Sequence, residues 1–170
     1  AACNRLGIVT SVEIPVINTI TMSQKFSDNC VEMMKEMIYQ CFNSPSVCIW
    51  AYMNEIMLRP LYNSESSIKK DEYLKYLYHI AERIENTAKV DPGRATMLPC
   101  HGNLAAYEEA NLINLSDILG MNLYNGWYGG EFSGFEAILD TIHQKYPDKP
   151  IIISEYGADV DARIHSFKSE

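Results

Sequence analysis

The chain has 170 residues, of which 47% are hydrophobic and 21% are charged, and this balance is typical of a folded domain with one sizeable core. Its net charge of −8 argues against nucleic acid and anionic membrane surfaces as partners, because both attract basic patches. No apolar run reaches the roughly 18 residues that a membrane-spanning helix needs.

Spacing of the cysteines and histidines gives no sign of a metal site. The five cysteines are odd in number and never spaced C-x-x-C, and the four histidines show no zinc-binding spacing. Glycine motifs that bind nucleotides are also missing, so we expect no metal and no cofactor. The first residues lack an initiator Met and a signal-peptide pattern, so we expect the sequence to begin inside a longer chain, and no cellular location is predicted.

Apolar patterning predicts strands and helices that alternate along the chain. The predicted strands are 7–13, 47–53, 94–99, 117–124 and 151–154. The predicted helices run from 27 or 28 to 41, and then over 68–88, 104–114 and 135–146. This alternation is typical of an α/β fold with a parallel sheet.

Two α/β architectures remain open at this point. An eightfold β/α barrel needs about 250 residues, which is more than this chain has. The sequence therefore predicts either a complete doubly wound domain or an incomplete barrel, and periodicity alone does not decide between them.

Two glutamates directly follow predicted buried strands. Glu55 comes after the run 47–53, and Glu155 ends the run 151–154. Active sites of α/β folds form at the carboxyl ends of the strands, and hydrolysis of a glycosidic bond requires a pair of carboxyl groups. The alternative is that both are ordinary polar residues at strand ends.

Neighbouring residues favour a sugar site. Asn54 is placed to bind a sugar hydroxyl, and Tyr124 falls at a strand end where its phenol is able to hold a carboxylate. Trp127 and Tyr128 offer flat apolar faces to a sugar ring, although such aromatic residues also serve simply to fill a barrel rim.

Five blocks, in order, resemble the catalytic barrel of glycoside hydrolase family 2, the family of β-galactosidases, β-glucuronidases and β-mannosidases. The blocks are CNRLGIV (3–9) with Glu13 at its exit, SPSVCIW (44–50) with Asn54-Glu55, DPGR (91–94), NLYNGWY (122–128) and KPIIISEYG (149–157). Departures from the family pattern occur at Asn4, Ser44 and Gly93, and none of them removes a catalytic group.

The resemblance implies a (β/α)8 TIM barrel of which residues 1–170 supply about strands three to seven. It implies a retaining mechanism in which Glu155 is the nucleophile, Glu55 the acid/base and Tyr124 the residue that orients the nucleophile. Asn54 and Asn122, with Trp127, would contact the sugar. The two carboxyl groups of such a pair lie about 5 Å apart.

The resemblance also implies a larger parent. Strands one, two and eight lie outside the similarity, as do the family's β-sandwich domains, so we expect the segment alone to be inactive or poorly folded. A homo-oligomer is compatible with this pattern.

Several assignments remain open. His101 either faces the sugar or is structural, and Asp159 and His165 either border the substrate site or cap a helix. A β-galactoside is the first expectation for the substrate, with β-glucuronide or β-mannoside as alternatives. An alternative from a different class is a carbohydrate-binding remnant without activity. A hydrolase with a serine nucleophile is disfavoured because the sequence has no G-x-S-x-G elbow.

Overall fold

The computed structural model describes residues 2–65 and 67–158 as five strands, five α-helices and one 3₁₀-helix. The strands are β1 (Thr10–Glu13), β2 (Val47–Ala51), β3 (Ala95–His101), β4 (Ile118–Asn122) and β5 (Ile151–Glu155). The helices are α1 (Ala2–Leu6), α2 (Gln24–Cys41), α3 (Lys70–Ala88), α4 (Leu104–Glu109) and α5 (Gly134–Lys145), with the 3₁₀-helix at Leu61–Asn63. Within the described ranges, no helix has the length and apolar character needed to cross a bilayer.

The sheet decides between the two architectures. All five strands are parallel, and their order in space is their order in the chain, β1-β2-β3-β4-β5. A doubly wound sheet reverses its strand order at a switch point, whereas a barrel adds each strand beside the previous one. The fold is therefore a half-barrel, which confirms the prediction of a partial TIM barrel.

One face of the sheet carries the hydrophobic core. The helices α2 and α3 cover it with side chains such as Met34, Leu77 and Ile84, none of which is exposed. Polar groups buried there are paired: the Tyr52 hydroxyl donates to Glu85 at 2.7 Å and the Trp50 indole N–H donates to Asp91 at 3.2 Å. This pairing satisfies polar groups that would otherwise be costly to bury.

In the described part of the chain, the opposite face is exposed at its two edge strands, whereas Ala51 and Met97 on the central strands are buried. Ser11 and Glu13 of β1 are exposed on it, and Ile152 of β5 is 37% exposed. Residues on this face alternate with those that meet the helices, as expected for a strand. In a closed barrel this face would be the interior.

Predicted boundaries shift where the backbone turns. The first strand begins at Thr10 rather than residue 7, because α1 occupies Ala2–Leu6 and Gly7 ends it with φ +68°. The first long helix begins earlier than predicted, at Gln24, where Ser23 caps it by accepting from the Phe26 amide at 3.2 Å.

Candidate active site

Glu55 lies in a strained turn directly after β2. Met53 and Glu55 both adopt left-handed backbone conformations, with φ of 60° and 49°, and this ends the strand at Ala51 rather than at 53. Such conformations cost free energy in residues other than glycine and persist only where neighbours enforce them. Here the Glu55 amide donates to the Pro99 carbonyl at 2.9 Å, and the Asn18 amide donates to the Asn54 carbonyl at 3.0 Å.

The Asn122 side chain ties together the ends of β2, β4 and β5. Its Nδ2 donates to Glu55 Oε1 and to Asn54 Oδ1, both at 3.1 Å. Its Oδ1 accepts from the Ser154 hydroxyl at 2.6 Å, and the residue is only 3% exposed. Because the amide uses both its donor and its acceptor side, its orientation is fixed by its partners.

Tyr124 holds Glu155 at the neighbouring strand end. The phenol donates a hydrogen bond to Oε2 of Glu155, the last residue of β5. This hydrogen bond raises the pKa of Tyr124, and burial and the charges of Glu155 and Glu55 raise it further. Tyr124 therefore remains a protonated donor at physiological pH.

Glu13, at the end of β1, is a third carboxyl group in the same site. Its Oε1 accepts from the Asn54 amide at 3.1 Å. Desolvation by the surrounding strand ends raises the pKa of Glu13 to about 7, the Asn54 amide partly offsets this, and the charge of Glu155 adds to it. From the sequence, Glu13 was placed only at a strand exit and was assigned no role. The position that selected Glu55 and Glu155, the carboxyl end of a strand, also selects Glu13.

His101 ends β3 and lies beside Glu55. Its Nδ1 is 2.8 Å from the hydroxyl oxygen of Tyr107, which also accepts from the His101 amide at 3.2 Å. Burial lowers the pKa of His101, and the charge of Glu55 partly opposes this. The ring is therefore neutral at physiological pH. Tyr107 was not among the site residues that the sequence predicted.

A cleft of about 580 Å³ opens next to Glu55. Its walls are contributed by the loops after β2, β3 and β4 and by α5, through Glu55, Leu58, His101, Gly102, Asn122, Leu123, Tyr124, Asn125, Tyr128, Gly129 and Ile138. Tyr128, rather than Trp127, lies in this wall, and its ring packs edge-on against Tyr124 with centroids 5.2 Å apart. A groove of about 750 Å³ between α2 and α3 is remote from these carboxyl groups, and we assign it no chemistry.

The structure thus brings together most of the predicted site residues. Glu55, Asn54 and Asn122 form one hydrogen-bonded group, and Glu155 and Tyr124 form another. Ser154, which donates to Asn122, directly precedes Glu155 in the chain. Within residues 2–65 and 67–158, no group of three or more His, Cys, Asp and Glu side chains could hold a metal ion. Asp159 and His165 lie outside the described residues.

The structure is a half-barrel with paired glutamates at the carboxyl ends of its strands, where active sites of barrel enzymes form, and a pair of carboxyl groups is what hydrolysis of a glycosidic bond requires. Residues 1–169 match the model of glycosyl hydrolases family 2, TIM barrel domain. The chain therefore belongs to glycosyl hydrolase family 2, as the sequence blocks indicated.

Individual relatives are similar over nearly the whole chain. A β-glucuronidase of Bacteroides fragilis is 32% identical over 159 residues, which are 89% of this chain and 20% of that protein. The human β-glucuronidase is 30% identical over 174 residues, 96% of this chain and 24% of that protein. The crystal structure of a β-glucuronidase of Bacteroides uniformis superposes with a TM-score of 0.86 at 38% identity, covering 98% of this chain and 20% of that one. The chain thus spans about a fifth to a quarter of the length of these relatives.

Proposed function

We propose that this segment supplies the acid/base, Glu55, and the nucleophile, Glu155, of a retaining β-glucuronidase. The observation that carries the proposal is a pair of neighbouring hydrogen-bonded groups at the strand ends of a family 2 barrel, Glu55 with Asn122 and Glu155 with Tyr124. The relatives described above are β-glucuronidases, so they favour the glucuronide over the β-galactoside that the sequence put first.

In the first step, Glu155 attacks the anomeric carbon of the sugar. Tyr124 occupies Oε2 of the carboxylate, which leaves Oε1 free to form the covalent bond. The bond from the anomeric carbon to the leaving oxygen breaks as the new carbon–oxygen bond forms, and the leaving oxygen takes a proton from Glu55.

In the second step, Glu55 acts as a base. It removes a proton from water, the water oxygen displaces Glu155 from the anomeric carbon, and the sugar leaves with its original configuration. Asn122 binds Oε1 of Glu55 throughout, so Oε2 carries the proton. Asn54, locked between Asn122 and Glu13, is placed to bind a sugar hydroxyl.

We further propose that the segment acts within a longer chain that closes the barrel. The open face of the sheet carries Glu13 and Ile152, and the relatives are four to five times longer than the matched part. Unpaired strand edges expose backbone hydrogen-bonding groups and invite pairing with other chains, which supports a requirement for the remaining strands.

The experiment is a substrate panel on the full-length chain. Aryl β-glucuronide, β-galactoside and β-mannoside are compared, and we expect the glucuronide to have the highest kcat/KM. Glu155→Gln is expected to abolish turnover, and Glu82→Gln, an exposed glutamate on α3, serves as the matched control. Preference for the galactoside would overturn the assigned sugar, whereas sugar binding without turnover of any substrate would favour the carbohydrate-binding remnant.

A further inference from the structure

The cleft beside Glu55 lies on one side of the proposed catalytic pair. Glu55, Asn122 and Tyr124 form part of its wall, but Glu155, Asn54 and Glu13 do not. In a retaining glycosidase the nucleophile lies against the sugar, while the acid/base reaches the oxygen that joins the sugar to its leaving group. A space that contains the acid/base and excludes the nucleophile is therefore on the leaving-group side.

The cleft wall is mostly apolar. Leu58, Leu123, Tyr128 and Ile138 contribute carbon surface, and Leu58 and Tyr128 are 43% and 78% exposed at its mouth. Pockets of this composition bind ligands with an apolar body and use a few polar groups to orient them. The exposed Tyr128 ring offers a flat face against which a ring system packs. His101 is the polar side chain on the β3 side of this wall.

Tyr107 determines which nitrogen of His101 carries the proton. The phenol is fully buried, and its oxygen already accepts from the His101 amide at 3.2 Å. Its own hydrogen needs an acceptor, and Nδ1 of His101, 2.8 Å away, is the one that the described residues provide. If Nδ1 carried the proton, the buried phenol hydrogen would be left without a partner, which is costly. The proton of the neutral ring is therefore on Nε2.

We propose that the cleft between the ends of β3 and β4 binds the leaving group of the substrate, and that His101 donates its Nε2–H to an acceptor on that group. The preferred leaving group is a flat, apolar ring system that carries a carbonyl or ether oxygen. This inference rests on the proposed function, because it takes Glu55 as the acid. His101 then contributes to the choice of leaving group.

The test compares three leaving groups on one sugar in the full-length enzyme. 4-Methylumbelliferyl β-glucuronide has a flat ring with a carbonyl, 2-naphthyl β-glucuronide has the ring without it, and β-glucuronosyl fluoride has a single atom that leaves the cleft empty. We expect His101→Leu to lower kcat/KM for the umbelliferyl substrate about 3- to 10-fold more than for the other two, as loss of one hydrogen bond predicts.

Matched variants distinguish loss of the His101 N–H donor from a structural effect of the substitution. His101→Gln retains an N–H at a similar reach and is expected to recover most of the loss, whereas His101→Asn, which is shorter, is not. Leu58→Ala should lower kcat/KM for both aryl substrates relative to the fluoride. Tyr107→Phe should shift selectivity in the same direction as His101→Leu. Without the Tyr107 hydroxyl, Nδ1 of His101 no longer accepts a hydrogen bond, so the proton is no longer confined to Nε2.

Equal losses on all three substrates would overturn the inference, because His101 would then act on the sugar or on the fold. Unchanged ratios in both the His101 and Leu58 variants would also overturn it. The same leaving groups on β-galactose are measured in parallel, so turnover of galactosides alone would refute the proposed sugar while still testing the cleft. Lack of turnover on both sugars would overturn the proposed function together with this inference.

Discussion

Replacing Asn122 with Asp tests the hydrogen bond by which Asn122 holds the Glu55 carboxyl group. The change keeps the shape of the side chain and its acceptor for Ser154, but converts Nδ2 into an oxygen 3.1 Å from both Glu55 Oε1 and Asn54 Oδ1. A hydrogen bond to a charged group contributes about 1.5–3 kcal/mol. Its loss at the transition state corresponds to roughly a 10- to 150-fold decrease in kcat/KM.

The assay is kcat/KM for an aryl β-glucuronide in the full-length enzyme, together with its thermal unfolding midpoint. Asn111→Asp is the matched control, because Asn111 is exposed and its left-handed backbone conformation, with φ of 58°, is one that Asp tolerates. If Asn122→Asp kept kcat/KM within about threefold of the Asn111→Asp value, the reasoning about this hydrogen bond would be refuted.

Three further changes probe the other contacts. Tyr124→Phe removes the hydrogen bond to Glu155 and should lower kcat/KM roughly 10- to 150-fold with little change in the unfolding midpoint; a normal rate would show that the phenol does not hold the nucleophile. Glu13 has a folded-state pKa of about 7 against an ordinary value of 4.5, so the folded state holds its proton more tightly, and stability should fall as pH rises through this window. Glu13→Gln should lose that part of the pH dependence of the unfolding midpoint, and identical profiles for both proteins would contradict the assignment. Gly120→Ala places a Cβ 3.0 Å from both the Pro99 Cα and the Ser154 Oγ and should destabilise the fold by about 1–3 kcal/mol, whereas Gly129→Ala, which meets nothing within 4 Å, is the control; equal denaturation midpoints would show that the sheet accommodates the methyl group.

The architecture was predictable from the sequence because buried parallel strands leave a strong pattern. Runs such as 47–53 and 151–154 are apolar without alternation, and the polar residues after them marked the carboxyl edge of the sheet. Periodicity left the doubly wound and barrel alternatives open, since it carries no information on which strands are neighbours. Strand order, seen in the structure, decided between them.

Details of the site depend on register and backbone strain, which residue patterns do not encode. The register shift between Met121 and Asn122 places Asn122 opposite Glu155. The left-handed turn at Met53 and Glu55 occurs in residue types that rarely adopt it, so no sequence signal predicted it. Tyr107 was missed because a tyrosine in a short helix looks like an ordinary packing residue.

The strands that carry the two proposed catalytic groups differ in how many neighbouring strands they pair with. Glu55 follows β2, which is paired on both sides, whereas Glu155 ends β5, which in the described part of the chain pairs only with β4. An edge strand frays more readily than an interior one, so loss of order on this side would remove the nucleophile before it disturbed the acid. Incomplete closure of the barrel would then halt the reaction before a covalent intermediate forms, and covalent labelling by a mechanism-based inhibitor would report correct assembly of the whole enzyme.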